Sequence, residues 1–273
     1  MDELRAALAI AKKDIRNVSR YRLSVASSIF TPLYQGVLPG LLFGASFAVG
    51  GKVVGLDKTI GTADLAGFIF MGGVISGLVA TAFWAMAMSF RNEMEMGTLE
   101  PTWLTPTARE TLVIGRALGG LFWFAFSTTA IFIVGIAFFG LRLRAEMLYA
   151  LPAILIAVVA MVGVAYLIAG VVLSIRDANL FVDCANFLFS VASGAAFPVL
   201  LLPGVLQPFA YALPTTYAMD ILRQQALGTR PLLDPTLEYV ALIASTLLLI
   251  PIGLWSYRRA DRRIRRLGTI NQY

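Results

Sequence analysis

Residues 149–174 read YALPAILIAVVAMVGVAYLIAGVVLS, a stretch in which no side chain carries a charge. About 20 helical residues cross a bilayer, so this stretch alone is long enough to do so. The whole chain has the same character, since 58% of its 273 residues are hydrophobic and 14% are charged. A soluble domain of this length could not bury so much apolar surface. The sequence therefore predicts an all-α membrane protein.

Five further apolar stretches are long enough to cross a membrane. The six predicted transmembrane helices lie near residues 23–49, 65–90, 111–141, 149–174, 180–203 and 236–257. Together they form one transmembrane domain over residues 23–257. Residues 1–22 precede it, and a basic tail, residues 258–273, follows it.

Lysine and arginine set the expected orientation. The predicted outer segments hold six of the 22 basic residues, namely Lys52, Lys58, Arg142, Arg144, Arg223 and Arg230. The other sixteen fall in segments that are cytoplasmic when the N-terminus is inside, as the positive-inside rule requires. We expect a multi-pass protein of the cell membrane with both termini in the cytoplasm. Because the basic residues lie beside apolar runs, they indicate membrane orientation and not nucleic-acid binding.

The first 22 residues are predicted to form an amphipathic interfacial helix. Its apolar stripe recurs at spacings of four and three and consists of Leu4, Leu8, Ala11, Ile15 and Val18. Lysines and arginines occupy the remaining positions, which suits a helix lying on an anionic inner leaflet. A simple positive-inside anchor is the alternative, and it is the expected role of the basic tail.

The composition argues against several kinds of chemistry. The chain has no histidine, which removes the usual zinc sites and every relay built on imidazole, and we predict no metal site. Arg116, Asp183 and Glu238 are the ionisable residues within the predicted helices, and each lies near an end. A carrier coupled to protons or sodium normally needs carboxylates near the midplane, so this pattern counts against a secondary carrier.

The loop between the second and third predicted helices carries the most specific signal. Gly97 can end the second helix, Thr98 can cap a short new helix that tolerates Pro101, and Thr107 with Glu110 can form a capping box for the third. The result would be a rigid helical elbow over residues 93–104, acidic at Glu93, Glu95 and Glu100. Such an elbow is a docking element for a cytoplasmic partner; an ordinary connecting loop is the alternative.

This loop, with two other motifs, resembles the type-2 permeases of ATP-binding-cassette exporters. The family pattern is matched by Glu93 followed by Gly97, Thr98, Leu99 and Glu100. A second match runs from Phe197-Pro198 through PTTYAMDILR at 214–223, and a third is Gly268-Thr269 with Gln272-Tyr273. The overall pattern is most similar to the drug-resistance and lipo-oligosaccharide export branch. The resemblance covers nearly the whole chain and implies a permease subunit of an exporter.

The resemblance implies that ATP and Mg²⁺ are bound by a partner. The one Gly-Lys pair, Gly51-Lys52, has Ser46 where a phosphate-binding loop needs its first glycine and Val53 where it needs Ser or Thr. The family pairs a cytoplasmic ATPase dimer with two permeases, either two copies or a copy and a paralogue. The chain itself is then not an enzyme and binds no cofactor, and its 93–104 elbow serves as the coupling helix.

Two further groups of residues are candidate sites. Residues 204–235 are too apolar for a free loop and too interrupted for a span, so we predict two short re-entrant helices near 204–212 and 215–227. They would form an outer gate with Pro198, Pro214, Tyr217, Asp220 and Arg223. The predicted substrate path, which suits drug-like or lipid-like cargo, consists of Phe83, Trp84, Asp183, Asn186 and Phe187. Export of a lipid-linked glycan, a secondary carrier or channel, and an intramembrane enzyme stand as alternatives.

Overall fold

The computed structural model of the chain describes residues 2–33, 37–38, 40–42, 48–49, 52–53, 60–62, 64–95, 97, 101, 108–141, 143–175 and 178–267. Its α-helices in chain order are α1 (Asp2–Ser19), α2 (Arg22–Pro32), α3 (Leu65–Glu95), α4 (Arg109–Phe139), α5 (Leu151–Ser174), α6 (Asn179–Ala192), α7 (Gln207–Ala212), α8 (Pro214–Leu227) and α9 (Pro235–Leu267). Short 3₁₀ helices span Ala145–Ala150 and Val199–Leu201, and two-residue strands, Ala48–Val49 and Lys52–Val53, pair antiparallel.

Four helices of the described part are long and apolar enough to cross a membrane: Leu65–Trp84, Arg109–Phe139, Ala145–Ser174 and Pro235–Arg263. They match the second, third, fourth and sixth predicted spans within a few residues at most ends, because long charge-free runs leave few alternatives to a helix. The first predicted span, 23–49, contains α2, but much of the rest lies outside the described residues. The count of six therefore stays a prediction.

The fifth predicted span, 180–203, is wrong as one continuous helix. α6 ends at Ala192, and its 14 residues are too short to cross a hydrocarbon core of about 30 Å. Gly194 then adopts a positive φ of 79°, and Pro198 precedes the 3₁₀ turn at Val199–Leu201. The segment stays apolar beyond Ala192, but glycine and proline interrupt the helix.

The basic tail is also different from its prediction. α9 does not stop near residue 257 but continues as helix to Leu267. Arginine is a good helix former, so a basic sequence can prolong a helix beyond its apolar part. The C-terminal part of α9 thus carries charged residues on a regular helical scaffold, whereas residues 268–273 lie outside the described part.

The core is built around the packing of α5 against α9. Small residues of α5, including Ala153, Ala157, Ala160 and Ala169, are fully buried and let the neighbouring helices approach closely. α3 lies against α4, α5 and α8, with Phe70, Met71 and Ile75 inaccessible to solvent. The long helices α3, α4 and α5 together with α9 form the central bundle, which positions the two ends of the molecule.

The amphipathic helix α1 packs alongside the first turns of α4. A Cβ added to Gly115 of α4 would lie 2.9 Å from the carbonyl oxygen of Ala7, and one added to Gly119 would lie 3.3 Å from the Cβ of Asp14. Gly115 and Gly119 therefore mark a close approach of α1 to α4. Two residues of the predicted stripe are exposed, Leu4 at 66% and Leu8 at 54%. Ala11 is buried, and Ile15 and Val18 are half-buried.

Candidate functional site

The predicted coupling elbow begins where α3 ends. Glu93 and Glu95 lie in the last turn of this helix, and Gly97 follows with a positive φ of 64°, a conformation that glycine adopts without strain. Gly97 is exposed, and a Cβ built on it would meet no atom within 4 Å. Gly97 thus has a conformation that can end a helix. Thr98, Leu99 and Glu100 lie outside the described residues, as does the predicted helix they would begin.

The start of α4, which follows the predicted elbow in sequence, is held by α1. The Ala108 backbone N–H donates to Glu3 Oε1 at 3.2 Å, and Thr111 Oγ1 donates to Glu3 Oε2 at 2.5 Å. Both bonds lower the pKa of Glu3 below its ordinary value of 4.5, and the bond from Thr111 has the larger effect. A carboxylate from another helix thereby satisfies a donor at the start of α4.

The predicted capping box at this point is not what the structure shows. Ala108 is the N-cap residue of α4 and makes no side-chain cap bond, and Thr107 lies outside the described residues. Glu110 instead accepts from Arg258 Nε of α9 at 3.0 Å. The neighbouring Arg109 pairs with Asp261, also on α9. The charged tail supplies partners that are more than 140 residues distant in sequence, which a local motif cannot reveal.

The predicted substrate path is only partly assembled. Phe83 is buried and its ring packs edge-on against Phe189 of α6, with centroids 5.1 Å apart. Trp84 and Asn186 are half-buried, whereas Asp183 and Phe187 lie on the exposed side of α6. The five residues therefore do not line one site within this chain. Phe189 would have been the better choice, since it stands one helical turn from Asn186 on the inward face.

The predicted outer gate is brought together at the opposite end of the molecule. Pro214 starts α8, and the Tyr217 hydroxyl donates to the Tyr211 carbonyl at 2.6 Å, tying α8 to α7. Pro198, Asp220 and Arg223 line one cleft beside the break after α6. The two short helices predicted for this region are present at Gln207–Ala212 and Pro214–Leu227.

Arg223 is the centre of this outer cluster and is 5% exposed. Its guanidinium donates to the carbonyl oxygens of Gly194 at 2.7 Å, Ala195 at 2.9 Å and Phe68 at 3.1 Å. It also lies 3.5 Å from the centroid of the Phe68 ring. The break after α6 exposes carbonyls that have no helical partner, and Arg223 satisfies them. Its planar, multidentate geometry suits this task better than an ammonium does.

Gln224 and Glu238 complete a hydrogen-bond network around Asp220. The Gln224 side-chain amide donates both to Asp220 Oδ2 at 2.8 Å and to Glu238 Oε2 at 2.7 Å. The same carboxylates accept the backbone N–H groups of Leu232 at 2.7 Å and Leu233 at 3.0 Å. The network joins α8 to the start of α9 and fixes the connection between them. The sequence signal for this network is the polar residue Gln224, one helical turn after Asp220.

Comparison with known protein families matches residues 5–227 to the ABC-2 type transporter. The match covers most of the chain, including the elbow and the outer cluster. No curated protein matches the chain at a significant level. In this family the membrane subunit carries no ATPase motif of its own, and the ATPase is a separate subunit. The chain therefore belongs to the ABC-2 type transporter family and is the membrane-spanning permease subunit of an ABC transporter.

Proposed function

We propose that this permease exports a hydrophobic or amphipathic molecule, drug-like or lipid-like, across the cell membrane. Membership of the ABC-2 family supports a transport role driven by a separate cytoplasmic ATPase. The ATPase binds ATP with Mg²⁺, and two of its copies work beneath two permeases, either two copies of this chain or one copy and a paralogue. The scarcity of charged residues in the apolar helices supports a cargo that is not a small ion.

The observation that carries the coupling mechanism is the left-handed turn at Gly97. A positive φ at this position ends a long helix and can redirect the chain within one residue. Beyond the elbow in sequence, Glu3 holds the start of α4 at Ala108 and Thr111. These two fixed points, Gly97 and the start of α4, support the proposal that the connection between them transmits movement.

In this mechanism Leu99 is the apolar residue that enters a groove of the ATPase. Glu93, Glu95 and Glu100 orient the elbow through charge pairs or helix caps, with Gly97 and Thr98 shaping it. Closure of the ATPase dimer moves the elbow and, through α3 and α6, opens the path for the cargo. Loss of a buried side chain of leucine size costs about 2–5 kcal/mol, enough to uncouple a marginal interface.

The orientation follows from the distribution of basic residues. Both termini and the elbow lie in the cytoplasm, and α1 rests at the inner leaflet with exposed Leu4 and Leu8 facing lipid. The first and fifth of six spans include α2 and α6. The cluster of α7, α8 and Arg223 then lies at the outer side, where the buried backbone of a re-entrant segment is satisfied by protein.

The coupling mechanism is tested with Leu99→Asp in the complete complex with its ATPase. We expect normal insertion and assembly of the permease, loss of transport, and an ATPase that either dissociates or hydrolyses ATP without moving cargo. Leu99→Met is the matched control, because it keeps an apolar side chain of similar volume and should transport normally. Normal transport by Leu99→Asp at normal expression would return the elbow to an ordinary loop.

The cargo class is tested separately by drug accumulation in cells with and without the complex. Lower accumulation of hydrophobic drugs in cells that carry the complex is the expected result. An unchanged accumulation across a panel of such drugs would favour the second candidate, export of a lipid-linked glycan. The half-buried and buried aromatic residues Phe83, Trp84 and Phe189 support the first candidate.

A further inference from the structure

We propose that the cytoplasmic end of α9 is a working part of the coupling machinery, with Arg109–Asp261 and Glu110–Arg258 as the link. Through these pairs, movement of the elbow passes from the start of α4 into α9 and then into α5. The proposal rests on the proposed coupling role of the 93–104 elbow. It adds Arg109, Glu110, Arg258 and Asp261 as positioning residues.

The link starts at the first two residues of α4, immediately beyond the elbow. Arg109 Nη1 pairs with Asp261 Oδ1, and Glu110 Oε1 with Arg258 Nε at 3.0 Å. Arg258 and Asp261 are three residues apart and therefore share one face of α9. Two adjacent bonds between the same pair of helices fix a mutual rotation as well as a distance. The start of α4 cannot then turn without turning this end of α9.

The two pairs differ in strength because they differ in exposure. The Arg109 and Asp261 side chains are 19% and 10% exposed, whereas those of Arg258 and Glu110 are 53% and 34% exposed. Exposed ion pairs contribute little, and breaking a buried pair leaves a charge in an environment that penalises it. The Arg109–Asp261 pair therefore carries most of the link, and Arg258–Glu110 sets its orientation.

Aromatic contacts join the same corner to α5. The Tyr166 hydroxyl of α5 donates to the Glu110 carbonyl at 3.2 Å, and the Tyr166 ring lies 5.7 Å from that of Tyr257, one turn before Asp261. Tyr257 is 1% exposed, so this contact is part of the packed interior. The corner is thus a three-helix junction of α4, α5 and α9 at the start of α4, which follows the elbow in sequence.

α9 and α5 are packed too closely to slide independently. A Cβ added to Gly170 of α5 would lie 3.3 Å from the Ser256 carbonyl of α9, and further along the pair the backbones of Gly163 and Gly253 are closer still. Packed interiors transmit displacement because they contain few voids to absorb it. A rotation imposed at Asp261 is therefore passed to the α5–α9 pair as a unit. A simple membrane anchor would need only basic residues facing lipid, and Asp261, 7% exposed, is an inward-facing acid in a basic tract.

The link is tested by replacing the ion pair with a reversible covalent bridge. Arg109→Cys and Asp261→Cys are combined on a Cys184→Ser background, since Cys184 is an exposed free thiol. The complete complex is reconstituted, and transport and ATP hydrolysis are measured before and after a short bis-thiosulfonate linker joins the two cysteines. Before linking, we expect ATP hydrolysis to persist while transport per ATP falls about tenfold. After linking, transport per ATP should return to within about twofold of the Cys184→Ser parent. A reductant cleaves the linker and should reverse this recovery.

A matched pair tests whether loss of an ion pair alone has this effect. Arg144→Cys with Glu146→Cys removes an exposed pair of 3.6 Å before α5 and should change transport per ATP by less than about twofold in either state. Undiminished transport before linking, or no recovery after linking, overturns the proposal. The Leu99→Asp variant separates failure of this proposal from failure of the coupling role of the elbow. Normal transport by Leu99→Asp would contradict the coupling role of the elbow. Loss of transport in Leu99→Asp, together with a negative result for the cysteine pair, would contradict the α9 link alone.

Discussion

The carbonyl oxygen of Gly163 in α5 lies where a side chain on Gly253 of α9 would begin. A Cβ built on Gly253 would be 2.1 Å from this oxygen, and one built on Gly163 would be 2.9 Å from the carbonyl oxygen of Leu249. Helices in membranes associate through such close packing, because lipid offers no hydrophobic drive between them. The contact holds together the two helices at the centre of the core.

Gly253→Ala should therefore destabilise the protein even though alanine favours a helix. The added methyl group forces the two helices apart, at a cost of about 1–3 kcal/mol. A lower midpoint of thermal unfolding in detergent measures it. Gly77→Ala on α3 is the control, since its Cβ would meet ordinary contacts at 3.8 Å and should not lower the midpoint. Equal midpoints for the two variants would contradict the packing described here.

Gly97→Val should abolish transport, whereas Gly140→Val should not. Both glycines have nearly the same positive φ, 64° and 63°, and a Cβ on either would meet nothing within 4 Å. The two substitutions therefore impose a similar backbone strain of about 1–3 kcal/mol. Gly97 lies in the elbow and Gly140 follows α4 at its other end. Transport measured at matched expression separates the two, and an equal loss would mean that strain alone is responsible.

Arg223→Lys should destabilise the outer cluster. The planar guanidinium donates to the carbonyls of Phe68, Gly194 and Ala195 together, and an ammonium does not reproduce this geometry. Each carbonyl of the break, Gly194 or Ala195, that is left unpaired costs about 1–3 kcal/mol. Limited proteolysis between α6 and α8 should become faster. Arg230→Lys is the control, because Arg230 is exposed at the rim of the same cleft. Equal proteolysis rates for the two variants would show that the carbonyls do not depend on Arg223.

The contribution of Glu3 to stability should depend on pH. The folded-state pKa of Glu3 is lowered, so its stabilising effect is fully present above the ordinary value of 4.5 and is lost as the pH falls through the lowered value. The unfolding midpoint of the unmodified protein should exceed that of Glu3→Gln at pH 7, and the difference should shrink toward pH 3. A difference that is constant across this range would exclude the proposed cap.

The orientation predicts which positions an impermeant thiol reagent reaches in intact cells. On a Cys184→Ser background, Gly55→Cys should be labelled from outside, and Arg262→Cys should be labelled only after the membrane is opened. The six-to-sixteen division of basic residues is the physical basis. Labelling of Arg262→Cys in intact cells would invert the topology.

The sequence by itself determined the class of protein and the apolar parts of its long helices. Charge-free runs such as residues 149–174 have few alternatives to a helix, because a backbone without water must satisfy its own hydrogen bonds. Pro208 and Pro214 likewise mark the starts of α7 and α8, because proline is favoured in the first turn of a helix. Gly97 is also recognisable from the local sequence, because a helix end of this kind needs a positive φ, which glycine adopts without strain.

The tertiary structure alone decided which charges meet and which side chains share a site. Hydropathy measures how strongly a segment avoids water and does not distinguish contact with lipid from contact with protein. The hydropathy pattern therefore predicted a helix that continues beyond Ala192, whereas α6 ends there. It also could not reveal that Phe187 is exposed, and the predicted substrate path is not assembled around this residue. Glu3 with Thr111 and Arg109 with Asp261 are joined only by the packing of distant helices. Ion pairs and hydrogen bonds require positions to within about 0.3 Å, and a one-dimensional pattern holds no such information.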